Sequence, residues 1–325
     1  MKMKKIIKKG SALALALVLT LSVTVLPKVY AAIDIDKDRS CSITFELDGE
    51  YEELNQLAVP IHLYKVAEVE ETGEYKALPG YEELDLGSIS DETNAEEWEK
   101  MAGKASELVK TLQAEPNVST EMRAAEGQPT GTAGNIPTGM YLVAAESVKS
   151  AEYVYDFTPY LISLPNNYYY SSGSDEWVYD VTTGLKPSQT ELFGDLVIEK
   201  TLTSYNATLG SADFVFQVDA EKDMKIVYSD VVSLSFDAPG TRTAKITHIP
   251  AGAQVTVTEV YSGASYQLTS SETQTAVILA DDAVSVSFEN EYNDHLNGGS
   301  SVVNHFIAND GNWDWEQQRD NSGQE

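Results

Sequence analysis

Three alternating segments in the last third of the chain each carry one reactive polar residue in a row of apolar side chains. Successive side chains of a strand point to opposite faces. By this alternation Lys200, Glu259 and Asn290 each fall on the apolar face of their own segment. The segments are Leu196–Leu202, Val255–Glu259 and Val284–Tyr292. An amine, a carboxyl group and a carboxamide are therefore predicted to occupy rows that should be core.

Burial would make these three groups reactive towards one another. A buried charge costs several kcal/mol unless it is paired or neutralised, and desolvation lowers the pKa of a lysine and raises that of a glutamate. Lys200 would then be an uncharged amine, which is a nucleophile, beside a protonated Glu259. The amine could attack the amide carbon of Asn290 while Glu259 hydrogen-bonds the amide oxygen and passes protons to departing ammonia. The product is a Lys200–Asn290 isopeptide bond, formed once.

A simpler interpretation explains the same spacing. Lys200 lies near the end of its segment, so its amine could extend to solvent while its stem covers apolar surface. Glu259 and Asn290 would then be ordinary residues at the rim of the core. Spacing alone does not separate the two interpretations.

The residues around the three polar groups resemble those of a known family. Leu196–Thr201, Ile249–Gly252 followed by Val257–Glu259, and the closing Phe288–Tyr292 are similar to the collagen-adhesin B-type (CnaB-like) domains of Gram-positive surface proteins and pili. The resemblance implies a prealbumin-like β-sandwich with the lysine on its first strand and the asparagine on its last. It also implies that a glutamate between them is catalytic. Lys200, Asn290 and Glu259 match these positions.

The start of the chain predicts export. Lysines between Lys2 and Lys9 precede the apolar run Ser11–Leu26, and small residues lead to a predicted cleavage after Ala31, as in a secretory signal peptide. A retained signal anchor is the alternative; otherwise the mature chain is expected to have no integral membrane span. Cys41 is the only cysteine, so any covalent staple within the exported chain must use other chemistry than a disulfide.

Charge and composition exclude several classes of function. The chain has 22 Lys+Arg against 51 Asp+Glu, a net charge of −29, which repels nucleic acid and anionic lipid. Asp34, Asp36 and Asp38 alternate like the start of an EF-hand loop, but the glycine and distal glutamate of that loop are absent. The four histidines are scattered. We therefore expect no metal, no cofactor and no enzyme acting on an external substrate.

The pattern predicts a mainly all-β chain of two tandem immunoglobulin- or prealbumin-like β-sandwiches. An internal repeat supports this, because Ile136–Glu146 aligns without a gap on Ile249–Glu259. The predicted parts are a signal peptide (1–31), an N-terminal pilin-like domain (32–190), a CnaB-like isopeptide domain (191–293) and a polar C-terminal tail (294–325).

The N-terminal domain should differ from the second in two ways. The core row of its opening strand, Ser42–Leu47, contains no lysine, so no crosslink is expected there, although the position of Lys65 leaves an irregular linkage open. An inserted α-helix is predicted over about 93–114, because Thr93–Glu96 reads as a capping box and apolar residues follow at helical spacing.

A second resemblance concerns assembly. Trp177, Val181 and Lys186 keep the offsets of the pilin motif of sortase-built pili, although Gly184 and Leu185 replace the usual tyrosine and proline before the lysine. The resemblance implies that Lys186 attacks the sortase-bound threonine of the preceding subunit. The alternative is a solvated lysine in an interdomain linker.

Together these features predict a secreted structural subunit of a Gram-positive cell-surface pilus, with other pilin subunits and a pilus sortase as partners. The alternative is a cell-surface adhesin whose N-terminal domain binds a host or matrix ligand while the second domain serves as a stalk. A secreted protein that does not polymerise comes third. The segment after 294 has no LPxTG-type sorting signal, so retention on the surface is left open.

Overall fold

The computed structural model describes residues 34–47, 49–89, 93–123, 129–167, 176–263 and 265–294, and the backbone of 302–309 and 312–319. The predicted signal peptide lies outside these residues. The chain divides into two compact units, the first formed by residues up to 148 with 155–189 and the second by 149–154 with 190 onward. The predicted boundary after residue 190 assigns residues 149–154 and 190 to the N-terminal domain, whereas this division assigns them to the second unit. No helix in the described part of the chain is long and apolar enough to span a bilayer.

The described residues up to 191 form eleven strands in three sheets. The strands are β1 (Cys41–Glu46), β2 (Val59–Val69), β3 (Tyr75–Ala77), β4 (Val118–Met122), β5 (Thr130–Ile136), β6 (Gly139–Ala145), β7 (Val148–Lys149), β8 (Tyr153–Phe157), β9 (Tyr160–Leu164), β10 (Asp180–Gly184) and β11 (Pro187–Glu191). One sheet has the order β10-β1-β5, a second has the order β3-β2-β6-β9 with β4 paired to β2, and β11-β8-β7 form a short third sheet.

The opening strand β1 follows its sequence pattern. Ile43, Phe45 and Leu47 are buried, as the alternation predicts, while the side chains between them are more exposed. Val181 of β10 pairs with Ile43 in parallel and is also buried. The apolar row of β1 therefore lies in the core of the first unit.

The helix α1 (Ala95–Leu112) confirms the predicted insertion, but its cap is one residue later than the sequence suggested. Asn94, not Thr93, is the N-cap: its side chain accepts a hydrogen bond from Glu97 N, and the Glu97 side chain accepts one from Asn94 N. The predicted box from Thr93 to Glu96 is wrong, because the helix begins at Ala95 and the extended residue directly before it is Asn94, whose reciprocal partner is Glu97. The buried face of α1, centred on Ala102 and Ala105, belongs to the same apolar cluster as residues of β6 and β9.

The second unit contains the next eight strands, arranged in two four-stranded sheets. They are β12 (Phe193–Leu202), β13 (Ala212–Lys222), β14 (Lys225–Phe236), β15 (Gly240–Pro250), β16 (Gln254–Tyr261), β17 (Tyr266–Leu268), β18 (Thr273–Val277) and β19 (Ala283–Tyr292). The sheet orders are β15-β12-β19-β17 and β14-β13-β16-β18. Leu196 and Ile198 of the first sheet share one buried cluster with Phe214 and Phe216 of the second, so the unit is a β-sandwich.

The internal repeat corresponds to a repeated topology. In each unit the opening strand, β1 or β12, pairs in parallel with a late strand, β10 or β19, and antiparallel with β5 or β15. The aligned segments run from the end of β5 through β6 and from the end of β15 into β16. In each unit the strand β6 or β16 belongs to a different sheet from the opening strand. The two glutamates that end the alignment differ: Glu259 is buried within β16, whereas Glu146 follows β6 and is exposed.

The C-terminal segment is more regular than expected. Instead of a featureless polar tail, β20 (Val302–Asn309) and β21 (Asn312–Arg319) pair antiparallel as a hairpin. The apolar residues of this segment partly alternate with polar ones, a pattern that is compatible with strands as well as with a tail.

Replacing Asn94 by alanine should destabilise α1, because the substitution removes the acceptor for Glu97 N and leaves a helix-end donor without its cap. We expect a loss of about 1 kcal/mol in the free energy of unfolding of the first unit, measured by denaturant titration. Asn94→Ser retains a capping oxygen and should lose much less. Equal losses in the two variants would contradict the assigned cap.

Candidate functional site

The structure brings Lys200, Glu259 and Asn290 together inside the second sandwich. Lys200 lies on β12 and Asn290 on β19 of one sheet, and Glu259 lies on β16 of the facing sheet. The exposed fractions are 0% for Lys200, 5% for Glu259 and 0% for Asn290. The interpretation in which the Lys200 amine extends to solvent is therefore wrong. We refer to these three residues as the core triad.

Hydrogen bonds connect every pair of the core triad. Lys200 Nζ donates to Glu259 Oε2 at 2.6 Å and to Asn290 Oδ1. Asn290 Nδ2 donates to Glu259 Oε1 at 2.8 Å. The carboxyl group of Glu259 thus has one oxygen in contact with the amine nitrogen of Lys200 and the other in contact with the amide nitrogen of Asn290.

Strand register explains how the lysine reaches the asparagine. In the parallel pair β12–β19, Lys200 is opposite Phe288 and Asn290 is opposite Leu202. Lys200 and Asn290 are therefore diagonal neighbours on the same face, two positions apart. Such neighbours are within reach of a long side chain but not of a short one.

Aromatic rings surround the amine and separate it from water. The Nζ atom of Lys200 lies 4.5 Å from the ring centroid of Phe214 and 5.8 Å from that of Phe216. The rings of Phe216 and Phe288 are themselves in contact, with centroids 5.0 Å apart. Alternation on β13 places Phe214 and Phe216 on one face, but it does not predict that they lie beside Lys200. The rings make the site apolar, which strengthens every electrostatic interaction within it.

Burial sets the protonation of the core triad. Desolvation lowers the pKa of Lys200, and the hydrogen bond to Glu259 opposes this only in part. Desolvation likewise raises the pKa of Glu259, opposed by the contact with Lys200. Both shifts favour the uncharged pair, an amine beside a carboxylic acid, over an ammonium beside a carboxylate.

The geometry corrects one detail of the predicted chemistry. Glu259 contacts the amide nitrogen of Asn290 rather than its oxygen, and the oxygen accepts from Lys200 instead. The difference arises because Glu259 approaches from the facing sheet, whereas Lys200 lies in the same sheet as Asn290. Glu259 is therefore placed to move a proton between two nitrogens, with no contact that would polarise the carbonyl.

The three residues of the pilin-like motif lie before, within and after β10 of the first unit. Val181 is buried in the strand, and a Cβ on Gly73 would meet the ring of Trp177 at 3.3 Å. Lys186 follows β10, its side chain is 43% exposed, and its Nζ lies 3.9 Å from Glu99 on α1. Of the three, only Lys186 has an accessible reactive group.

The other charged residues singled out in the first unit have separate partners. Lys65 Nζ lies 2.7 Å from Glu68 Oε2. Glu146, which the repeat aligns with Glu259, accepts a hydrogen bond from His62 Nε2 at 3.0 Å. Lys65 and Glu146 are therefore not placed as a counterpart of the core triad. Among the residues the structure describes, no group of acidic, histidine or cysteine side chains is arranged to hold a metal ion.

Comparison with known proteins gives limited matches. A family model described as a domain of unknown function (DUF5979) matches residues 196–293, less than half of the chain. No curated protein matches the chain significantly. The matched range begins in β12 and ends just after β19, so it spans the strands that carry the core triad.

Several solved structures to which the chain is similar are pilins of Gram-positive bacteria. One is GBS52, the minor pilin of Streptococcus agalactiae, at 15% identity over 80% of this chain and 100% of that chain, with a TM-score of 0.25. Another is the full-length major pilin SpaD of Corynebacterium diphtheriae, at 11% identity over 80% of this chain and 99% of that chain, with a TM-score of 0.27. At these values the likeness carries no conclusion about function, which has to come from the site.

The fold and the site together define a β-sandwich protein with an amine, a carboxyl group and a carboxamide sealed in one core. If these groups react, the rate of reaction should have a maximum in pH. Acid would add a proton to the pair and convert Lys200 to an ammonium that cannot attack, and alkali would remove the proton that Glu259 must transfer.

We expect the rate of ammonia loss from newly synthesised full-length protein to fall on both sides of this maximum. The measurement is a time course of intact mass in a series of buffers. The acid-side fall should lie below the ordinary pKa of lysine, because burial lowers the pKa of Lys200. A rate that rises continuously until free lysine is deprotonated would contradict this assignment.

Proposed function

We propose that this protein is a structural subunit of a cell-surface pilus of a Gram-positive bacterium, and that an intramolecular Lys200–Asn290 isopeptide bond closes its second unit. The observation that carries the proposal is the complete burial of a lysine in hydrogen-bonding contact with an asparagine and a glutamate. An unreacted lysine here costs desolvation energy that only a reaction or a strong pairing offsets.

The reaction balances without any external reagent. A bond forms between Lys200 Nζ and Asn290 Cγ, and the bond between Cγ and Nδ2 breaks. Glu259 takes one proton from Nζ through Oε2 and gives one to Nδ2 through Oε1, so that ammonia leaves and Glu259 ends as it began. Contact between nucleophile and electrophile within one core supplies the proximity that makes such a step fast.

The bond would stabilise the second unit considerably. It closes a loop between residues 90 positions apart. Treated like a disulfide loop of that size, it removes about 4 to 5 kcal/mol of unfolded-state entropy. The usual stability of a domain is about 5 to 15 kcal/mol. A secreted chain with one cysteine thus gains a covalent staple by other means.

The placement of the bond suits a protein under tension. β12 opens the sandwich, β19 closes it, and the two are parallel neighbours in one sheet. A pull that enters through the start of β12 and leaves through the end of β19 would pass directly from Lys200 to Asn290. The residues between them, which form most of the sandwich, would carry no load.

Lys186 is the proposed acceptor for the preceding subunit. Its amine is accessible, and it lies only a short run of chain before β12. A subunit attached at Lys186 would therefore transmit its load along β11 into β12 and across the isopeptide bond. The strands of the first unit before Lys186 would lie outside this covalent path. In this proposal the partners are other pilin subunits and a pilus sortase, and the chain is exported to the surface.

The staple is tested by replacing Glu259 with alanine. The wild-type protein should be lighter than its sequence mass by one ammonia, and Glu259→Ala should have the full mass, because the proton shuttle is lost. Thermal and protease resistance of the second unit should fall sharply in the variant. The matched control is Glu221→Ala, which removes an exposed acidic side chain on β13 and should keep the mass deficit of the wild type. A wild-type protein of full sequence mass would exclude the isopeptide bond.

Assembly is tested by conjugation. Incubation of the purified protein with a pilus sortase and a sorting-signal peptide should join the peptide to Lys186, as identified by peptide mass mapping. Lys186→Arg should abolish conjugation, whereas Lys100→Arg, on an exposed lysine of α1, should not. Conjugation at other lysines that is unchanged in Lys186→Arg would contradict the acceptor assignment. Binding to a glycan or matrix protein without any conjugation would favour an adhesin instead.

A further inference from the structure

The same tripeptide, Leu-Thr-Ser, flanks Asn290 on both sides of its strand. Leu202–Ser204 begins at the last residue of β12, and Leu268–Ser270 begins at the last residue of β17. Leu202 pairs with Asn290 in parallel from one side, and Leu268 pairs with it antiparallel from the other. We refer to these two segments as the Leu-Thr-Ser brackets.

The first bracket holds the peptide group that follows Asn290. Thr203 donates to the backbone oxygen of Asn290 twice, from its N–H at 3.0 Å and from its Oγ1 at 3.2 Å. Ser204 Oγ accepts from Tyr292 N at 2.7 Å. The ladder between β12 and β19 ends at Leu202 and Asn290, so the hydroxyls continue the pairing where the backbone ladder stops.

The second bracket holds the peptide group that precedes Asn290. Thr269 donates to the backbone oxygen of Glu289 from its N–H at 2.8 Å and from its Oγ1 at 3.0 Å. Ser270 Oγ accepts from Glu289 N at 3.1 Å. The hydroxyl of Thr269 also contacts the carboxylate of Glu289 at 3.0 Å. The two brackets therefore use the same residue types in the same roles on opposite edges of β19.

Together the brackets fix the backbone on both sides of one α-carbon. The direction of the Asn290 side chain depends on the two peptide groups beside it, and each has its carbonyl held by a threonine N–H and hydroxyl. This position needs such control because Lys200 reaches Asn290 diagonally, near the end of both strands. A slip of one residue would turn Asn290 out of the core. Smaller errors in the position of a reacting group can lower a rate severalfold to a hundredfold.

We propose that Thr203, Ser204, Thr269 and Ser270 are positioning residues for the isopeptide reaction, which hold the carboxamide of Asn290 against the amine of Lys200. This inference rests on the proposed crosslink. None of the four touches the reacting atoms in the hydrogen bonds described above, so their effect is on geometry and not on proton transfer. Their removal should slow bond formation without changing its dependence on pH.

The test uses full-length protein made by pulsed cell-free synthesis. Samples are denatured at successive times, and the fraction that has lost ammonia is read from the intact mass. Thr203→Val with Ser204→Ala is expected to slow the loss about tenfold, and Thr269→Val with Ser270→Ala by a similar factor. The shape of the pH–rate profile should stay that of the wild type. Thr203→Ser and Thr269→Ser, which retain the hydroxyl, should restore most of the rate.

Two controls separate positioning from general stability. Thr241→Val removes the hydroxyl contact between Thr241 and Thr201, 2.9 Å apart, between β15 and β12, and it should not change the rate because it leaves β19 untouched. Each bracket variant is also combined with Glu259→Ala, and thermal unfolding of these unreacted proteins reports stability alone. For a similar loss of thermal stability, a bracket variant should lose ammonia more slowly than Thr241→Val does.

The possible results distinguish a failure of the positioning role from a failure of the proposed crosslink. If wild-type protein loses ammonia and both bracket variants do so at the same rate, the positioning role is overturned and the crosslink stands. If the variants are slower but valine and serine at Thr203 behave alike, the hydroxyl is not the cause and the inference also fails. If the wild type never loses ammonia, the crosslink and the brackets' role are both excluded.

Discussion

A lysine amine, a carboxyl group and a carboxamide are buried together in one core, and the stability of the second unit depends on how the cost of that burial is offset. An ammonium and a carboxylate would each lose several kcal/mol of hydration there. Three phenylalanine rings, Phe214, Phe216 and Phe288, line the same core and provide no compensating hydrogen bonds. Proton transfer within the pair removes both charges, and it also leaves the amine able to attack. Desolvation therefore favours the uncharged pair, and the uncharged pair is the form in which the amine is a nucleophile.

Alternation placed each member of the core triad on the inward face of its strand, because a strand with one buried face fixes which residues point inward. It did not show that the three side chains meet, and the family resemblance was needed to expect this. The same rule identified the opening strand of the first unit. It could not tell that Glu146 differs from Glu259, since this depends on where the strand ends: Glu146 lies one position beyond β6 and reaches His62 at the surface. Nor could it choose between Thr93 and Asn94 as the helix cap, since both residue types can cap a helix.

Other features depend on pairings between distant segments and have no local signal. The orientation of the Asn290 carboxamide is decided by partners on two different sheets. The Leu-Thr-Ser brackets are a repeated tripeptide in the sequence. Their common relation to Asn290 is seen only in the strand register, in which both leucines pair with Asn290. The hairpin of β20 and β21 likewise needed the cross-strand register to be recognised.

The most direct test is to pull on the full-length protein with handles attached at Thr190 and Asn293 and to record its extension. With Lys200 joined to Asn290, the enclosed loop cannot lengthen, and the second unit should yield no large step at any force below that which breaks covalent bonds. In Glu259→Ala the sandwich should open and release about 300 Å, since about 90 residues of extended chain span ~3.3 to 3.6 Å each. A release of that length from the wild-type protein would contradict the account.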